Sequence, residues 1–125
     1  MTNTIQSILV VILVALAPAL YGQDLDGQWN GILQAQGNTY HIVFHVNQKG
    51  NGYEATFDSP DQNVTGIAVT SVTHHAANVT LEIKSIGAVY AGLISEGRIS
   101  GKWMQSGLSF PLILDKAGAP GEKKE

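Results

Sequence analysis

Between residues 24 and 115, apolar and polar residues alternate with period two, and turn-forming residues break the alternation roughly every 8 to 12 positions. Successive side chains of a strand point to opposite faces, so this pattern builds half-buried strands and lays no apolar stripe along a helix. No stretch in this region repeats every 3.6 residues. The alternation predicts strands over 29–36, 40–46, 53–57, 67–70, 79–84, 89–94, 98–104 and 108–114. Gly37-Asn38, Lys49-Gly50-Asn51-Gly52, Glu96-Gly97 and Ser106-Gly107 supply hairpin turns. The segment 58–63 interrupts the pattern and is expected to be a loop. The expected fold class is therefore all-β, with about eight short strands in up-and-down order.

Such strands, each with one apolar face, close into a small antiparallel barrel or pack as a two-sheet sandwich. Hairpin connections favour the barrel, because the last strand meets the first without a long crossover. Trp29-Asn30-Gly31, Tyr90-Ala91-Gly92 and Gly101-Lys102-Trp103 each set an aromatic residue two positions from a glycine on the same face. Glycine permits the bending that closure needs, and the aromatic covers the bare backbone. Trp29, Phe44, Gly101 and Trp103 are thus expected in the structural core. The apolar faces, from Trp29, Phe44 and Phe57 through Leu81, Ile83, Leu93 and Trp103 to Phe110 and Leu112, carry enough bulk to fill a small barrel.

The chain has 125 residues, room for one domain. Residues 8–20 form an apolar run, ILVVILVALAPAL, too short to span a bilayer and of signal-peptide length. Pro18 and the small residues after it predict a leader at 1–22 and cleavage before Gln23, hence a secreted or periplasmic protein with no membrane span after processing. The barrel is expected over 23–115. The tail 116–125, KAGAPGEKKE, is expected to be disordered. There is no cysteine, which removes disulfides, thiolate metal sites and a cysteine nucleophile. A net charge of −3 with scattered Lys and Arg argues against nucleic acid as a partner.

The runs Leu25-Asp26-Gly27-Gln28-Trp29-Asn30-Gly31, Ile42-Val43-Phe44-His45-Val46, Asp58-Ser59-Pro60-Asp61-Gln62, and Gly101-Lys102-Trp103 with Pro111-Leu112 together resemble a bacterial module. It is the β-rich N-terminal region that precedes α/β-hydrolase domains of the serine esterase or peptidase kind in exported proteins. The Gly27-x-Trp29 start is also similar to that of lipocalin-type barrels. The resemblance implies a hydrolase-associated accessory domain standing alone. The chain contains no G-x-S-x-G elbow, so none of the family's catalytic residues has a counterpart here.

Four histidines invite a metal reading. His41 and His45 share a strand face but stand about 13 Å apart, too far to chelate one ion. His74 and His75 are expected in a turn, where adjacent side chains diverge. No metal or other cofactor is expected, and no segment assembles a nucleophile, a base and an oxyanion hole. Asp58, Ser59, Pro60, Asp61 and Gln62 form the candidate binding loop at a barrel mouth, although the same residues also build turns. The expected function is a non-catalytic accessory domain that docks on another exported protein, such as a hydrolase on a separate chain. The alternative is a barrel holding a small apolar ligand, and an enzyme is the third reading. A filled barrel would favour docking over ligand binding.

Overall fold

The computed structural model describes residues 24–118; the expected leader, its cleavage site and residues 119–125 lie outside the described residues. Among the described residues nine strands follow one another: β1 (Gly27–Ala35), β2 (Asn38–Lys49), β3 (Gly52–Ser59), β4 (Val64–Ala68), β5 (Ser71–His75), β6 (Asn78–Ile83), β7 (Ala88–Ser95), β8 (Arg98–Gln105) and β9 (Leu108–Lys116). They form one antiparallel sheet in the order β4-β3-β2-β1-β9-β8-β7-β6-β5. The first strand meets the last, with Gly31 opposite Leu114 and Trp29 opposite Lys116. That pair sits at the middle of the order, with β4 and β5 as the two edges, and the single sheet curls toward an up-and-down β-barrel; the sandwich alternative is not formed.

The extra strand relative to the expected eight has a simple origin. β4 is antiparallel to β3 and β5 is antiparallel to β6, so both run in the same direction along the barrel. They are two halves of one bent strand. At the bend Val69 N donates to Ala55 O on β3 (3.0 Å), and Thr70 N donates to Glu82 O on β6 (2.7 Å). The chain thus hands its pairing from one side of the seam to the other. His74 and His75 end β5 rather than forming a turn, and Ala76-Ala77 makes the turn instead. Val72 is the only strongly apolar residue of β5, so its pairing with β6 rather than an alternation defines the strand.

Alternate residues of β1–β3 and β6–β9 fill the interior. Trp29, Phe44, Phe57, Tyr90 and Trp103 are buried there. Phe57 and Trp103 stand 5.5 Å apart and Phe44 and Trp103 6.5 Å apart, ring to ring, the spacing of favourable tilted aromatic pairs. The Tyr90 hydroxyl donates to Leu112 O at 2.8 Å and lies 3.2 Å from Ile99 O, so a phenol is carried in the core without an unpaired group. Gly92 and Gly101 face each other across β7 and β8. A Cβ at Gly101 would lie 2.3 Å from Ala91 O, so only glycine allows this approach. Because Gly92 takes the inward place between Tyr90 and Ile94, Leu93 points outward and is 57% exposed, not into the core as expected.

The two ends of the barrel differ. At one end Leu25 is buried and its carbonyl accepts from Trp29 Nε1 at 2.8 Å. Lys116 donates to Asp24 O and lies 5.6 Å from the centre of the Trp29 ring. These contacts close that end. They also draw the last strand to Lys116, one residue past the expected domain limit, and Ala117 N still bonds Gln28 O. The other end is formed by the β1–β2 and β8–β9 turns and by two single 3-10 turns, Pro60–Gln62 and Lys84–Ile86.

Candidate functional site at the open end of the barrel

A cleft of about 240 Å³ opens between these four connections. Its floor is Ile42, Phe57 and Trp103, the top layer of the core. Leu33, Tyr40 and Phe110 make its sides, and Gln36, Gln62 and Ser106 its rim. Strand parity explains the placement: Leu33, Ile42, Phe57 and Trp103 are inward residues near the strand ends at this mouth. Trp103 Nε1 donates to Gln105 Oε1 (3.0 Å), while Gln105 Nε2 donates to Ile86 O (2.9 Å). That relay fixes the indole plane and ties it to the Lys84–Ile86 turn. Among the described residues, none that lines the cleft carries a charge.

The segment Asp58 to Gln62 lies beside this mouth, but only Gln62 lines the cleft. The loop is shorter than expected, because Asp58 and Ser59 complete β3 and Val64 already begins β4. Ser59 is fully buried, and Gln62 Nε2 donates to its hydroxyl at 2.9 Å, so the inward face of β3 ends on a satisfied polar group. Pro60 opens the 3-10 turn, and Asn63 closes it in the left-handed region at φ 59°, its N–H bonded to Pro60 O. The two aspartates turn outward. One oxygen of Asp58 accepts from Gly66 N (2.7 Å) and the other meets His45 Nε2 (2.9 Å). Asp61 accepts from both His41 N (2.7 Å) and His41 Nδ1 (2.8 Å).

These contacts hold both carboxyls below their ordinary range, Asp58 mainly through the Gly66 amide and Asp61 mainly through the His41 ring. An ionised carboxylate only accepts, so the ring nitrogen facing it carries the proton in each histidine. His41 thus latches β2 to the Pro60–Gln62 turn and His45 latches β2 to the end of β3, each hydrogen-bonded to a different carboxylate. Among the described residues no cluster of three or more His, Cys, Asp or Glu could hold a metal ion. The pairing was within reach of the sequence. A two-residue turn at Gly50-Asn51 sets Val43 opposite Asp58, which puts that carboxylate on the outer face between the two histidines.

A second concavity lies on the outside of the sheet, where Ile32 on β1 and Ile113 on β9 are 54% and 48% exposed. The Arg98–Asp115 pair (2.7 Å) borders it on one side and His41 on the other. Among the described residues no helix is long and apolar enough to cross a membrane. Compared with protein-family models, with curated proteins and with solved structures, the chain matches none.

Proposed function

We propose that this chain is an exported, non-catalytic binding module that holds a small apolar ligand in the cleft at the open end of its barrel. The observation that carries the reading is the contrast between the two ends. One is sealed by Leu25 and Trp29, while the other leaves about 240 Å³ above an aromatic floor. Side chains bordering a void forgo dispersion contacts that a fitting apolar group restores. Concave apolar sites with a few polar groups at the edge are the usual form of small-molecule sites. The filled centre removes an interior calyx and by itself favours docking; what favours a ligand is the open mouth, so the proposed site is surface-proximal.

Docking on another exported protein, such as a hydrolase supplied by a separate chain, is the second reading. It is favoured by Ile32, Ile113 and Leu93, large apolar side chains left exposed on the outer face. One experiment separates the two. A neutral naphthalene fluorophore is titrated into the protein, into an Ala35→Phe variant that plugs the cleft, and into an Ile113→Asp variant that spoils the outer face. Binding lost only in Ala35→Phe supports the ligand reading. Binding lost only in Ile113→Asp, or absent from the unaltered protein, refutes it.

A further inference from the structure

The chemistry of the cleft narrows its ligand further, and the step rests on the cleft being the binding site. We infer that the site selects an uncharged ring compound of one or two rings bearing a single hydroxyl or amide group, and rejects the carboxylate of the same shape. Size comes first. A cavity of about 240 Å³ is below the roughly 300 Å³ at which pockets for drug-sized molecules begin, so it encloses no more than a body of one or two rings. Shape follows from the walls. Tyr40, Phe57, Trp103 and Phe110 line it from four strands, and flat aromatic ligands fill spaces among aromatic rings with offset or edge-on contacts.

Charge is decided by what the cleft lacks and by where its neighbours point. No Lys, Arg or His lines it among the described residues, so an anion entering it would shed water with no counter-charge to replace it. The nearest carboxylate in sequence, Asp61 beside Gln62, is turned away and held on the outer face by His41. A cation therefore finds no partner either. Neutral hydrogen bonding is available: Gln62 gives one amide N–H to Ser59, which leaves its second N–H to donate and Oε1 to accept from a hydroxyl or amide group. Gln105 is held in place, with one acceptor site of its oxygen taken by Trp103 Nε1 and one N–H given to Ile86 O.

The two indoles make the test. Trp103 Nε1–H sits at the cleft, whereas Trp29 Nε1–H is bonded to Leu25 O at the closed end. Proton–nitrogen NMR of the whole protein follows both signals during titration with 2-naphthol and, separately, with 2-naphthoate. The expected result is a saturable shift of the Trp103 signal alone, with 2-naphthoate binding at least about tenfold more weakly. In a Gln36→Lys variant, which adds a cation at the rim, 2-naphthoate should gain at least about fivefold in affinity relative to 2-naphthol. Equal affinity for the two probes overturns the charge selectivity and leaves the cleft as the site. No shift of Trp103 with either probe overturns the site itself, as does a shift of Trp29 in its place.

Discussion

Replacing Gly101 by Ala adds one methyl group to the tightest point of the barrel. The new Cβ would stand 2.3 Å from Ala91 O, 2.7 Å from Gly92 Cα and 2.9 Å from Ala91 C, where ordinary contact begins at 3.4 Å. All three atoms are backbone, so no side chain can rotate away. β7 and β8 must part by about 1 Å at the Gly92–Gly101 pair, which strains the ladder on both sides and pulls at the Tyr90 hydroxyl bonds. Overpacking alone costs about 1 to 3 kcal/mol, and weakening a ladder bond adds about 1 kcal/mol. A loss of about 3 kcal/mol is expected, equivalent to a fall of roughly 12 to 24 °C in the thermal midpoint of a domain this size. Gly52→Ala is the control, because nothing lies within 4 Å of a Cβ there and its φ is not positive. That variant should stay within about 0.5 kcal/mol of the parent. Urea unfolding followed by tryptophan fluorescence measures both. A Gly101→Ala loss below about 1 kcal/mol would show that the two strands are not in this close register, and the account of closure would fail.

Trp103→Ala should cost about 3 to 5 kcal/mol in the same assay, since it empties a large buried aromatic site and frees Gln105 from its place; a loss under about 1 kcal/mol would put the indole at the surface. Tyr90→Phe keeps the ring but strips Leu112 O of its hydroxyl donor, for an expected loss of about 1 to 2 kcal/mol, and an unchanged unfolding midpoint would refute that pairing. The loop latches predict acid sensitivity. Asp58 and Asp61 both titrate below their ordinary value near 3.8 in the folded protein, so their stabilisation is fully present above that value and is lost as pH falls through the folded one. Thermal midpoints measured between pH 2 and 5 should therefore drop toward the acid end, and Asp58→Asn should flatten that slope. An equally steep slope in the variant would show that Asp58 does not contribute.

How far the sequence reached, and where it stopped, follows from the range of the forces involved. Period-two alternation is a local property, and it determined strand positions, inward faces and the all-β class: Val79, Leu81 and Ile83 are buried as their spacing requires. Hairpin turns such as Ser106-Gly107 are equally local, because their two residues adopt the positive φ of 55° and 78° that a tight turn demands. Three things needed the tertiary structure. The split of one strand into β4 and β5 depends on two partners, Ala55 and Glu82, reached from neighbouring amides. The close approach of β7 and β8 depends on Gly92 meeting Gly101, a pairing that alternation within either strand does not decide. The cleft depends on four connections meeting at one end, where no single segment carries its shape. The loop at Asp58 to Gln62 was visible as a polar segment and hairpin register brings Asp58 near His45, but the bonds of Asp61 to His41, Asp58 to Gly66 and Gln62 to Ser59 were not legible. Local sequence chooses between strand and turn for each residue. Only closure of the sheet decides which ends are sealed, which side chains find partners across it, and where space is left over.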